Sequence, residues 1–177
     1  MNKITLLLLA GLAAATPARA DDATAMAAAA NAFYTVYSGL PRSGGIPDAT
    51  ARVRYTPLLS SRLNLLINQA AAAETRFRAK VKDSPPLIEG DLFSSLFEGA
   101  TTVKLGACSG DAKAGRCTAT LTHSDPKQKP VSWTDTLELV NTPSGWKVDD
   151  IAYNAGFQFG NTGTLSDTLR MAIAESQ

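Results

Sequence analysis

The period of the apolar pattern changes once along this chain, and that change limits the folds open to it. Met26, Ala30, Phe33, Tyr37 and Leu40 recur at steps of four and three, the spacing of a buried helical stripe. Leu59, Leu63, Leu66, Ala70, Ala73 and Phe77 repeat it. Beyond Thr101 the step falls to two. Val103, Leu105 and Ala107 alternate with polar or small residues, and Val131, Trp133, Asp135, Leu137 and Leu139 share one face of a later segment. The first stripe predicts a helix over 23–40, closed by Gly39 and Pro41. The second predicts one from Pro57 to about Lys82, with Thr56 as cap, Pro57 at the first helical position and Pro85-Pro86 as the stop. Arg42 to Asp48, with Gly44-Gly45 and Pro47, reads as a loop. Strands are expected over 101–108, 116–123, 131–140 and 146–154, followed by a glycine-rich stretch over 156–163. A short helix over 165–175, capped by Thr164 or Ser166, ends the chain. Helices set apart from an antiparallel sheet define the α+β class. The expectation is a curved four-stranded antiparallel sheet packed on N-terminal helices, a cone, in a single domain over 21–177.

The first twenty residues stand outside that domain. Lys3 gives a positive start, Ile4 to Ala15 is apolar, and Ala18-Arg19-Ala20 fits the small-x-small pattern of a cleavage site. The apolar run is shorter than the ~20 residues a spanning helix needs. The layout predicts a cleavable signal peptide over 1–20, cut after Ala20, and delivery to a bacterial periplasm or beyond. No later segment is apolar and long enough to span a membrane.

Charge narrows the partners. The chain carries 17 basic and 16 acidic side chains. Lys3 and Arg19 belong to the leader, which leaves 15 bases against 16 acids afterwards. A near-neutral balance does not fit nucleic acid, whose phosphates call for a basic face. Cys108 and Cys117 are the two cysteines. In an oxidising compartment a close isolated pair forms a disulfide. Zinc would need more ligands than these two and His123 supply, and no other cofactor signature is present. Pairing Val103, Leu105 and Ala107 with Leu121, Ala119 and Cys117 leaves Cys108 diagonal to Cys117. The hairpin tip must therefore carry a bulge, or the bridge must close a loop outside the ladder.

The order of elements resembles the nuclear transport factor 2-like, or ketosteroid-isomerase-like, cone fold, and more narrowly a family of small exported bacterial proteins built on it. The stretches that carry the resemblance are Phe33-Tyr34-Thr35-Val36-Tyr37-Ser38-Gly39, Tyr55-Thr56-Pro57-Leu58-Leu59-Ser60-Ser61-Arg62-Leu63, Pro86-Leu87-Ile88-Glu89-Gly90-Asp91-Leu92-Phe93 and Gly145-Trp146-Lys147-Val148-Asp149-Asp150-Ile151. The narrow family implies no activity, and the wider one holds isomerases, dehydratases and binding domains, so the fold alone does not select a function.

Asp135 is the position where chemistry is most expected. A carboxylate on an apolar strand face needs a partner or a cavity. A four-residue turn over 141–144 would set Asp135 opposite Asp150, as a coupled acid pair suited to general acid–base work. A β-bulge at Asp149-Asp150, where the alternation breaks, would instead separate the acids and leave Asp150 in solvent. Tyr34, Tyr37 and Tyr153 are the candidate donors into the same pocket, or ordinary core tyrosines. His123 reads as a surface residue. No nucleophile–base spacing and no phosphate-binding glycine motif stands out. The expectation is a non-catalytic domain that binds a small ligand or a periplasmic protein, one version being an inhibitor or immunity protein. The alternative is an isomerase- or lyase-type enzyme using Asp135 with a tyrosine. A homodimer through the sheet face is compatible with either.

Overall fold

The structure, a computed structural model, describes residues 20–41 and 44–176. Of the expected leader only Ala20 falls among them, so the signal peptide and its cleavage lie outside the described residues. Helix α1 spans Ala20–Ser38, α2 Ala49–Tyr55, α3 Ser61–Lys80 and α4 Leu165–Glu175. The strands are β1 Thr102–Gly110, β2 Ala114–His123, β3 Val131–Thr142, β4 Gly145–Tyr153 and β5 Gly163–Thr164. They form one antiparallel, open sheet in chain order. The architecture is therefore α+β, with five strands instead of the expected four. The two-residue β5 comes from the stretch read as irregular, and it pairs through Ala152↔Thr164 and Tyr153↔Gly163.

Most of both helical stripes is buried where the spacing places it; Leu40, Leu66 and Phe77 are only half-buried, and Ile67, outside the expected stripe, is buried instead. Met26, Ala30, Phe33 and Tyr37 of α1 pack in the same core as Leu63, Ile67 and Ala70 of α3. The inner sheet face supplies Cys117, Ala119, Leu121, Trp133, Leu137 and Leu139. The outer face presents Thr118, Thr120, Ser132 and Thr134 to solvent. Val131, expected on the apolar face, is 42% exposed at the end of β3.

The second helix differs from the expectation. The chain leaves helical geometry at Leu59 (φ −98°, ψ 154°), because that buried residue forms a bridge with Val148 of β4. Ser60, not Thr56, then caps α3 by accepting the Leu63 amide at 3.0 Å. Ahead of the break Thr56–Leu58 form a 3-10 turn, and before it stands the separate helix α2, capped by Asp48, whose side chain accepts the Ala51 amide at 2.8 Å. At the other end of the chain Thr164 caps α4 by accepting the Asp167 amide.

Two bulges set the sheet. The β1–β2 register slips between Leu105 and Cys108, so that Cys108 stands opposite Cys117 and the two form a disulfide. Gly106 lies in that slip, and a side chain there would strike the Thr118 hydroxyl. The β3–β4 hairpin closes with Thr142↔Gly145, a two-residue turn instead of four, and Gly145 takes the positive φ of 95°. A slip between Glu138 and Leu139 then places Glu138 opposite Asp150. The bulge reading of Asp149-Asp150 is correct, and Asp135 and Asp150 are not cross-strand partners.

Candidate functional site

The five residues singled out for a pocket divide among separate networks. Asp135 has no exposure at all. Its Oδ2 accepts the Ser95 amide at 2.8 Å and the Trp133 indole N–H at 2.9 Å. Its Oδ1 accepts the Ser95 hydroxyl and, at 3.1 Å, the Asn154 amide. Four donors fill both oxygens, as a buried carboxylate requires.

Asp150 is buried as well, at 7% exposure, which corrects the expectation that the bulge would leave it solvated. Its Oδ1 accepts the Ile151 amide and, at 3.0 Å, the Ser166 amide in the first turn of α4, where an acid complements the helix N-terminus. Arg62 reaches it at 3.5 Å while forking onto Asp149 at 2.9 Å and donating to the Ser166 hydroxyl at 2.9 Å. The bidentate bond to Asp149 raises the guanidinium's already high pKa. Arg62, Asp149 and Asp150 thus fasten α3, the β4 bulge and α4 to one another.

The tyrosines are core residues. Tyr37 donates to Asp91 at 3.0 Å and accepts the Ala100 amide at 2.8 Å, and it lines a surface cleft of about 350 Å³ beside Tyr55 and Asp91. Tyr153 donates to the Leu92 carbonyl at 2.6 Å. The Tyr34 hydroxyl is buried and has no hydrogen-bond partner among the described residues, its ring set edge-on to Phe33 and Tyr37 with centroids 5.3 and 5.9 Å away. Burial raises the pKa of Tyr34 and Tyr153 well above the ordinary value, and neighbouring carboxylates push the same way. His123 is half-buried, with Nδ1 2.8 Å from the Gly99 carbonyl, and is not a free surface group. Among the described residues no three His, Cys, Asp or Glu side chains converge to hold a metal.

What Asp135 does position is a pair of loops. The segment 89–98 is folded by Asp91, which accepts the Phe93 amide and donates its own amide to Phe97. Ser95 is clamped to Asp135, and its hydroxyl and carbonyl accept the amides of Ala155 and Asn161. The Asn161 side chain donates to the Asp91 and Ser94 carbonyls at 2.6 and 2.7 Å. The loop over 154–161 is thereby sewn to the loop over 89–98.

Between the two loops lies a cleft of about 480 Å³, walled by Leu96, Phe97, Phe157 and Phe159, with Glu89 and Glu98 also lining it. Phe157 is held edge-on against Trp133 at 5.6 Å. Phe97 and Phe159 are 40% and 78% exposed. Gly90 (φ 69°) leaves room for the Phe97 ring, which a Cβ there would meet at 2.6 Å. Gly160 similarly clears the Ser95 carbonyl. These residues were not singled out from the sequence. The available signal was Phe157 and Phe159 in a glycine-rich stretch, where alternate large aromatics have no strand to be buried in.

Comparison with models of protein families, with curated proteins and with solved structures gives no match to this chain. The disulfide suggests an oxidising, extracytoplasmic location, and no described helix is long and apolar enough to cross a membrane.

Proposed function

We propose that this chain is an exported, non-catalytic binding domain that holds a small ligand or a periplasmic protein at the two-loop cleft. In this reading residues 1–20 are a signal peptide cut after Ala20, residues 21–177 are a periplasmic domain of the nuclear transport factor 2-like cone type, and an inhibitor or immunity role is one form of the binding. The observation that carries it is the use made of Asp135. Its oxygens are occupied by four donors and the residue has no exposure, which gives a substrate proton no approach. The same bonds brace the loops that hold apolar side chains in an open cleft, the usual form of a ligand site. A homodimer through the outer sheet face draws no support from its exposed threonines and serine. The isomerase or lyase alternative draws on Tyr34, whose unpartnered hydroxyl lies in the field of Asp135.

The test uses protein recovered from the periplasm of an expressing bacterium. Its intact mass should correspond to a chain beginning at Asp21. The neutral fluorophore N-phenylnaphthylamine should brighten on the native protein and lose that response in Phe97→Ser/Phe159→Ser. Protein retained in the cytoplasm with its leader defeats the export reading. No response, or one unchanged in the variant, defeats the cleft reading, and turnover of a ketone or hydroxy-acid panel defeats the non-catalytic one.

A further inference from the structure

The cleft walls carry a chemical bias that the binding reading does not use. Glu89 and Glu98 are exposed there, and among the described residues neither forms an ion pair or a side-chain hydrogen bond. No described lining residue is basic. Among the described residues the one arginine lining the adjoining groove, Arg78, is held by Glu74 of its own helix. The remaining lining is mostly aromatic and aliphatic. Phenylalanine faces attract cations through the ring quadrupole, and carboxylates within about a Debye length add to the attraction. A neutral apolar ligand would gain only from the rings, and an anion would be opposed by both acids.

We infer that the cleft selects a small organic cation, an ammonium or quaternary ammonium group on an apolar or aromatic body. This inference rests on the cleft being the binding site and adds the charge of what it binds. The cleft's volume falls within the range of small-molecule sites. The bonds from Asp135 and Asn161 hold the loops in place before a ligand arrives, which lowers the ordering cost of binding. The body lies against Phe97, Phe157 and Phe159, and the cationic head faces Glu89 and Glu98.

Three ligands of one skeleton test this: naphthylmethylammonium, naphthalenemethanol and naphthoate, titrated into the mature protein at low salt and neutral pH with amide chemical shifts as the readout. The ammonium ligand should bind at least about fivefold more tightly than the alcohol, and the carboxylate weakest. Glu89→Gln/Glu98→Gln should bring the ammonium ligand down to the alcohol's affinity without changing the alcohol's. Phe159→Ala should weaken both. If the wild type binds ammonium and alcohol equally, the cation inference fails and the cleft still stands as a binding site. A preference that survives in the double glutamine variant also overturns it. If no ligand shifts residues of the two loops, both the inference and the binding reading fail.

Discussion

A carboxylate set mid-strand on the inner face of a sheet must find donors for both oxygens or leave the core. Asp135 finds them in Ser95, Trp133 and Asn154, and in the proposed binding reading its role is to hold loops in place. Asp135→Asn tests this directly. An amide keeps one acceptor oxygen and turns an NH2 group toward two of the four donors, so that two bonds are lost and like dipoles meet. Breaking a buried charged network from one side costs about 2–4 kcal/mol. Urea unfolding should show that loss in the midpoint, with amide shifts changing over 93–97 and 154–161 and the remainder of the spectrum preserved. Glu98→Gln, at an exposed carboxylate, should leave the midpoint unchanged. If Asp135→Asn matches the wild type in stability and loop shifts, Asp135 is not the anchor.

At the scale of elements, much was legible because it depended on local periodicity. The stripes of α1 and α3, the alternation of β2 and β3, and the cap of α4 all follow from neighbours a few residues apart. What escaped depended on distant contacts. Leu59 breaks the expected long helix because Val148, far along the chain, takes it as a bridge partner. Strand β5 exists only because the edge of β4 is there to receive it. The cleft escaped for the same reason, since Phe97 and Phe157 are brought to one cleft by loops that Ser95, Asn161 and Asp135 tie together. The β1–β2 hairpin lies between these cases: spacing required a bulge if the cysteines were to meet in the ladder, and the bulge at Gly106 supplies it. The disulfide closes a short loop, the cysteines standing nine positions apart in sequence. Its loop entropy is worth about 2–3 kcal/mol. Folded, unreduced protein should show no free thiol, and Cys108→Ser/Cys117→Ser should lower unfolding stability by about that amount, less whatever the paired strands retain when unfolded. Two titratable thiols in the native protein would refute the bridge.

The molecule as a whole is braced around aromatic side chains. Phe33 packs on Tyr34, Tyr55 and Phe93, and Tyr55 on Phe93 at 4.7 Å. Burial raises the pKa of Tyr34, Tyr55 and Tyr153 above the ordinary 10.0. Below pH 10 each is protonated in both the folded and the unfolded chain, and its contribution to stability is fully present. Above pH 10 the unfolded chain releases protons that the folded chain still holds, so stability falls as pH rises toward the folded values. Each such group removes about 1.4 kcal/mol per pH unit. All three act in the same direction, against the roughly 5–15 kcal/mol typical of a domain. Alkali should therefore unfold the protein in one cooperative step above pH 10, with the phenolate absorbance of these three tyrosines rising together with the loss of far-ultraviolet circular dichroism. Tyr34→Phe removes one of the three groups and a hydroxyl without a partner among the described residues. It should shift the step to higher pH and reduce its steepness by about a third, at little cost to stability at neutral pH. A phenolate titration that completes near pH 10 with the dichroism intact would mean that the tyrosines are open to solvent and that the interior is not the filled core around which the binding loops are built.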